Sequence, residues 1–429
     1  MATLTLRFAM IFALACALLG FAAQTARAQS FSVLYSFCSQ SGCTDGATPN
    51  DSPIVDSEGN VYGTTLVGGG ATDGGIAYEI TGGTEKLLHN FNTFATGEFP
   101  EGGLIRDSSG NFYGTASSGG NDIVHSLCRG HGCGVVYELG PSGADTILFT
   151  FFDSDIHHVP NYDGYGPYGS LLSDGKGNLF GTTLGFGAKY TGSVFELSAN
   201  GSEGVTHWFG SYKKDGKFPN GGLVMDSLGN IYGTTTRGGQ YGAPRGELSG
   251  TIFEINAAGV ESVLHSFGGR KEMQNGTGPN GGLILDASGN LYGTTITGGN
   301  LVNCTNGCGT VFAFSPAGME TVLYTFTGTP DGSAPTGGMI RDGQGNFYGT
   351  TASGGVNGAG TVFKMTPGGV ETILYNFTGG ADGQSPEGGL AMDGQGNLYG
   401  TTAGGGNQNE LCAPPRGVTG CGVVFEVTP

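Results

Sequence analysis

Seven times along the chain one short text returns: Asp, two variable residues, Gly-Asn, an apolar residue, an aromatic and then Gly-Thr. The copies begin at Asp56, Asp107, Asp174, Asp226, Asp286, Asp342 and Asp393 and run into Tyr62, Tyr113, Phe180, Tyr232, Tyr292, Tyr348 and Tyr399. Successive aromatics lie 51, 67, 52, 60, 56 and 51 residues apart. A unit of that length, made of short strands, buries its apolar faces only by packing on its neighbours, so the period points to a radial array of sheets. A β-solenoid accommodates such uneven spacing less naturally.

Aligned, the units offer four strand candidates each. The first follows a Pro and usually a Gly-Gly pair, as in Gly102–Asp107 and Gly221–Asp226; the second is the run from Asn through Gly-Thr. The third reads like Gly192–Leu197 and the fourth like Thr146–Phe151. All are short and rich in β-branched and aromatic residues, and Asp-x-x-Gly-Asn suits a tight hairpin with Gly in the left-handed position. The chain after residue 28 opens with a fourth-type strand, Ser32–Phe37, and closes with a third-type strand, Gly422–Val427. If the Asp-ended strand is innermost, the N-terminal strand completes the last sheet. The expected fold is all-β: a seven-bladed β-propeller of four-stranded antiparallel blades, twenty-eight strands in all, closed one-plus-three so that no edge is left open.

Residues 1–28 read as a secretory signal peptide. Arg7 gives a positive start, Phe8 to Ala23 is almost wholly apolar, and Ala26-Arg27-Ala28 suits cleavage before Gln29. No later segment is apolar enough to span a bilayer, so residues 29–429 are expected to form one exported, secreted or cell-surface/periplasmic propeller domain, most simply a monomer. The 17 Lys and Arg against 35 Asp and Glu give a formal charge of −18, and both leader charges are basic, so the remainder is more acidic still. Such a surface repels nucleic-acid phosphates and anionic lipids and argues against both as partners. Glycine supplies 87 of 429 residues, a share that suggests low complexity until its fixed place in the repeat is seen.

Eight cysteines follow the leader in four local couples: Cys38 with Cys43, Cys128 with Cys133, Cys304 with Cys308, and Cys412 with Cys421. An even count in an exported chain, with no histidine at ligand spacing, favours disulfides over metal binding. Each closes a small loop, so these bonds stiffen loops more than they hold the fold.

Strand order sorts the connections by face. The Asp-x-x-Gly-Asn hairpins share one constant face; the inter-blade crossovers and the Gly-rich loops after Gly-Thr share the other, with all four cysteine couples. Variable loops on a rigid scaffold are where binding usually resides. The candidate binding residues on that face are Phe99, Tyr162, Tyr165, Tyr168, Phe186, Tyr190, Phe218 and Tyr241, flat rings suited to stacking on sugars or anchoring a protein partner. The polar candidates are His157 and His158 and the crossover aspartates Asp45, Asp163, Asp215, Asp331 and Asp382, read as ringing the channel mouth. Turn capping is the plainer reading of these aspartates, and of the seven hairpin aspartates, which do not converge as calcium requires. No cofactor is expected, with calcium the one weak candidate.

The text Pro-x-Gly-Gly-Leu-apolar-x-Asp-x-x-Gly-Asn-Leu-Tyr-Gly-Thr-Thr, then Gly-Gly and Gly-Thr-Val-Phe, best matched by Pro335–Phe363 and Pro386–Thr402, resembles the GloVer tandem repeat of exported bacterial proteins, named for Gloeobacter and Verrucomicrobia. The resemblance covers residues 31–429 and implies export. It also brings the expectation of a variable C-terminal surface anchor, which this chain does not show. The strand logic is similar to NHL-type propeller repeats. On residues alone, a non-catalytic scaffold binding a glycan, envelope component or protein is favoured over a polysaccharide lyase or hydrolase, since no carboxylate pair stands out. A quinoprotein-like dehydrogenase ranks lower because Trp208 is the sole Trp.

Overall fold

The computed structural model describes residues 29–70, 73–91, 95–120, 128, 132–151, 164–185, 191–241, 249–268, 273–409, 412 and 419–429. Seven antiparallel sheets carry the seven repeats. In the first blade the strands are Ile54–Val55, Val61–Thr65, Ile76–Thr81 and Thr84–Asn90, in that spatial order. The last blade holds Ala391–Met392, Leu398–Thr402 and Val423–Thr428, and its outer strand is Ser30–Ser36. Val33 pairs with Phe425 and Ser36 with Val423. The one-plus-three closure is therefore as the sequence phase requires.

Packing between blades repeats one contact. The Phe that ends each outer strand meets the central aromatic of the next blade's third strand: Phe37–Tyr78, Phe91–Tyr137, Phe151–Phe195, Phe209–Phe253, Phe267–Phe312, Phe326–Phe363 and Phe377–Phe425, at 4.9–5.3 Å between centroids. Tilted and edge-to-face pairs at that distance add about 0.5–1.5 kcal/mol each beyond burial. The same third-strand ring lies over the Gly of aromatic-Gly-Thr in its own sheet, as Tyr78 does over Gly63 and Phe425 over Gly400. A Cβ on any of the seven would stand 2.4–2.7 Å from that ring or its hydroxyl. The first duty of this glycine is room for a ring within the sheet.

The innermost strand departs from expectation. Only two residues of it pair with the second strand in each blade, such as Ile105–Arg106 and Ile340–Arg341. Upstream, one residue before each Pro takes a left-handed backbone: Thr48, Phe99, Gly166, Phe218, Gly278, Ala334 and Ser385, with φ of 51–63°. Each donates its N–H to a carbonyl just before the preceding blade's third strand, such as Thr48 to Cys421 and Phe218 to Thr191. Before that kink the crossover pairs again with the segment after Gly-Thr, adding four short strands to the twenty-eight, Tyr165–Pro167, Gly216–Lys217, Arg237–Gly238 and Thr277–Pro279.

Between kink and strand runs Pro-x-Gly-Gly, and here the seven chains crowd the axis. A Cβ on Gly337 would lie 2.4 Å from the carbonyl oxygen of Gly388, and one on Gly388 would lie 2.5 Å from that of Asp51. Threonines of the Gly-Thr motif stitch neighbouring blades at this level: Thr294 Oγ1 donates to Pro335 O at 3.2 Å, Thr350 Oγ1 to Gly388 O at 2.8 Å, and Thr401 Oγ1 to Asp51 O at 2.8 Å.

The four disulfides are Cys38–Cys43, Cys128–Cys133, Cys304–Cys308 and Cys412–Cys421. Sulfurs of the first and last lie 3.9 Å apart where the ring closes. No helix among the described residues is long and apolar enough to cross a membrane.

Candidate functional site

Because each crossover descends to the axis through Pro-x-Gly-Gly, the x residues ring the channel mouth on the crossover face. They are Asn50, Glu101, Tyr168, Asn220, Asn280, Thr336 and Glu387, and with the glycines beside them they line a cavity of about 360 Å³, within the size range of small-ligand sites.

The ring is symmetric in backbone but not in chemistry. Six blades place Gly at the first position after x; the first blade places Asp51, followed by Ser52. Asp51 Oδ1 accepts the Ser52 N–H at 2.6 Å, while Oδ2 lies over Gly103 of the second blade with no hydrogen-bond partner. The third-strand aromatic is Phe in five blades and Tyr only in the first two, Tyr78 and Tyr137. Both rings are wholly buried and neither hydroxyl has a partner. Thr64 and Thr115, buried in the same two blades, also carry unpartnered hydroxyls, as do Thr182 and Thr234 at the equivalent place in the next two. Buried polar groups are ordinarily satisfied, and a cluster of exceptions marks a place that water or a ligand completes.

Electrostatics tie this arc together. Burial, with a smaller push from the nearby Glu101 carboxylate, raises the Asp51 carboxyl to about 7. Burial and then the Asp51 charge push both tyrosine hydroxyls up. At neutral pH the arc thus offers a carboxyl poised between two protonation states, hydroxyl donors, and amide groups from Asn50, Asn220 and Asn280.

The hairpin aspartates on the opposite face are turn caps. Asp226 accepts the Leu228 and Asn230 N–H groups at 2.9 Å, Asn230 Nδ2 at 2.8 Å and the Tyr232 hydroxyl at 3.1 Å, and the other six repeat the pattern, save that Phe180 offers no hydroxyl. Burial raises these carboxyls, but the hydrogen bonds outweigh it and hold all seven below the usual range. Their stabilisation is present above an unfolded value near ~3.9 and is lost as pH falls through the lower folded value. Asp51, Glu85 and Glu371, all raised to about 7 chiefly by burial, act in reverse. Their contribution is complete below the unfolded values and disappears as pH rises through about 7. The melting temperature is therefore expected to peak between about pH 4 and 7 in a pH series followed by circular dichroism; a profile flat from roughly 5 to 9 would contradict this.

Of the aromatics singled out from sequence, Tyr168 lines the channel. Phe99 and Phe218 are half-buried at the left-handed kinks, and Arg237 stands over the Phe218 ring at 5.4 Å. Tyr165 packs over Gly185, and Tyr241 is 40% exposed away from the cavity lining. His157, His158 and Asp163 lie outside the described residues, as do Tyr162, Phe186 and Tyr190. The remaining crossover aspartates sit at the ends of outer strands, not at the channel mouth. Asp331 accepts the Tyr324 hydroxyl at 2.6 Å and Thr327 Oγ1 at 2.7 Å; Asp382 accepts the Tyr375 hydroxyl at 2.9 Å and bonds Thr378; Asp45 accepts the Tyr35 hydroxyl at 2.8 Å. Asp215 receives Ser211 N at 2.9 Å and faces His207. A carboxylate that bridges its own turn to the strand before it must sit at the rim, because the outer strand is where that turn begins.

Apart from Tyr168, the channel residues were missed from sequence, although a signal for them existed. They occupy the variable place inside a nearly constant segment, which is broken at Asp51 and Ser52 in the first blade and at Ser170 in the third.

The sequence profile of the Gloeobacter/Verrucomicrobia repeat matches residues 125–329 and 301–429. No curated protein matches the chain in sequence. Among solved structures, the chain superposes on the extracellular domain of a protein assigned as a hybrid two-component system from B. thetaiotaomicron with a TM-score of 0.52, at 10% identity over 92% of this chain and 39% of that one. A protein assigned as a 6-phosphogluconolactonase from Bacteroides uniformis gives 0.46 at 15% identity, over 86% of this chain and 99% of that one. Regucalcin, a calcium-binding protein from Agrobacterium tumefaciens, gives 0.42 at 17% identity, over 76% and 89%. Likeness at such identities speaks for the fold and not for the chemistry grafted on it.

Proposed function

Because the chain belongs to the Gloeobacter/Verrucomicrobia repeat family, defined by its repeat and not by a reaction, we propose that it is an exported propeller that binds a hydroxyl-rich ligand in its channel mouth: the end of a glycan, free or carried on an envelope component. The observation that carries this reading is the arc of unpartnered buried groups, Asp51 Oδ2 with the hydroxyls of Tyr78 and Tyr137 and of Thr64, Thr115, Thr182 and Thr234, which runs through the first four of the seven blades. A sugar presents alternating donors and acceptors that such a set satisfies, and Tyr168 supplies an aromatic face beside it. Phe99 and Phe218 support the same face. A bulky residue at positive φ costs about 1–2 kcal/mol where glycine costs nothing, and such strain often accompanies a binding role. Gly166 and Gly278 fill the equivalent place in other blades without that cost. Four disulfides suit an oxidising compartment.

The test is a glycan array with wild type, followed by calorimetry with two variants. Gly222→Leu introduces bulk into the channel at a residue whose Cβ meets nothing within 4 Å. Asp51→Gly completes the seventh glycine of the ring. Both are expected to stay folded and to weaken binding by tenfold or more, an ordinary loss of roughly 1.4 kcal/mol. No glycan bound by wild type, or equal binding by both variants, would refute the proposal. A second reading, acid–base catalysis on a bound polysaccharide, draws on the Asp51 carboxyl at about 7 beside Glu101. It predicts new reducing or unsaturated ends from bound oligosaccharide with wild type and none with Asp51→Gly.

A further inference from the structure

The rim junctions between blades vary one design, and one variant gathers groups that the propeller does not need. At three junctions a tyrosine near the end of an outer strand donates its hydroxyl to the crossover aspartate: Tyr35 to Asp45, Tyr324 to Asp331 and Tyr375 to Asp382, at 2.6–2.9 Å. Histidine takes the tyrosine's place at three junctions, as His89, His207 and His265, and among the described residues His207, where the third blade meets the fourth, is the one grouped with two acids. Its Nε2 lies 3.4 Å from Asp215 Oδ1 and 3.9 Å from Glu261 Oε2, the acid that opens the next blade's outer strand. One ligand atom from each of these three residues lies within 4.8 Å of the other two.

The distances discriminate between two accounts. A good N–H···O bond is about 2.7–3.2 Å, so 3.4 Å is long for a hydrogen bond. A tetrahedral zinc ion with bonds of about 2.0–2.1 Å spaces its ligands roughly 3.3 Å apart, close to the His207–Asp215 separation, and the 3.9 Å to Glu261 needs a small inward shift of that carboxylate. The site is also short of positive charge: the Asp215 side chain is 0% and that of Glu261 2% exposed, and among the described residues His207 is the one possible cation in ion-pair contact. Two buried carboxylates side by side call for a cation or a proton. Glu261 Oε1 is buried with no partner, while the Tyr212 hydroxyl donates to Oε2 at 2.8 Å and fixes the carboxylate's orientation. Imidazole and carboxylates together suit zinc more than calcium, which prefers an all-oxygen shell. The cysteines do not compete, being paired in disulfides.

We propose that His207 Nε2, Asp215 Oδ1 and Glu261 Oε2 bind a divalent zinc-like metal ion that clamps the third blade to the fourth at the rim. It is separate from the channel mouth and independent of what binds there. The experiment uses the full secreted chain, stripped with chelator and reloaded with Zn²⁺ or Co²⁺. Wild type is expected to retain one zinc per chain after gel filtration, to melt at a higher temperature with zinc than without, and to give a visible Co²⁺ absorption band. His207→Tyr converts the junction to the form found at Tyr35 and Tyr324. It is expected to fold with the apo melting temperature of wild type but to lose the cobalt band and at least roughly tenfold in zinc affinity. Glu261→Gln, which keeps the shape and removes a ligand charge, should behave likewise and serves if the tyrosine variant misfolds. Zinc-free wild type after reloading, or variants that bind as tightly as wild type, would overturn the assignment.

Discussion

Replacing Gly337 by Ala is expected to destabilise the protein by more than about 4 kcal/mol, enough to abolish the folded state at moderate temperature. The added methyl would sit 2.4 Å from the Gly388 carbonyl oxygen. That oxygen cannot simply yield. It accepts the Thr350 hydroxyl at 2.8 Å, and the Gly388 Cα in turn abuts the Asp51 backbone, so displacement passes round the ring. Gly388→Ala should behave the same way. Gly222→Ala is the control, since its Cβ meets nothing within 4 Å and its φ is not left-handed. It should lie within about 1 kcal/mol of wild type, or gain slightly by restricting the unfolded chain. Urea midpoints of the three variants decide the matter; a Gly337→Ala midpoint near that of the control would mean the axis is looser than the backbone distances imply.

The second large effect is expected from removing residues 29–37. The strand Ser30–Ser36 forms the outer edge of the last sheet, Phe31 stacks on Tyr375 with centroids 3.7 Å apart, and Phe37 is wholly buried against Tyr78. Losing Phe37 alone should cost about 3–5 kcal/mol, the usual range for a buried Phe truncated to Ala. Losing the whole strand also bares the Val423–Thr428 edge, an invitation to pair with another chain. The truncated protein should therefore elute as oligomer or aggregate, and a synthetic peptide spanning residues 29–40, added during refolding, should restore monomer. Wild-type elution and melting without the peptide would show that the closing strand is dispensable.

Much of this architecture was legible in the sequence because propeller repeats expose their logic as text. The alternation in Val423–Thr428 and Ser30–Ser36, read with the phase of the repeat, specifies which strands share the last sheet. The local cysteine spacings also specify the four disulfides. The interior of the site was harder to see. Tyr78 and Tyr137 look like ordinary strand aromatics until the sheet register places their hydroxyls over Gly63 and Gly114 near Asp51. His207 is unremarkable in sequence, since its acidic neighbours arrive from a turn eight residues on and a strand in the following blade. Side chains that converge from different repeats leave no local spacing to read.

One consequence of the Pro-x-Gly-Gly segment reaches past this chain. Pro fixes the approach, the glycines fix the crowding, and the residue between them lines the lumen, where Asn220, Asn280 and Thr336 also hydrogen-bond their neighbours in the ring. Seven such places form a short cipher, here Asn, Glu, Tyr, Asn, Asn, Thr and Glu, set on backbones whose course the flanking Pro and Gly fix. A lineage carrying many copies of this gene would hold a ready library of receptors, alike in outline and different in taste.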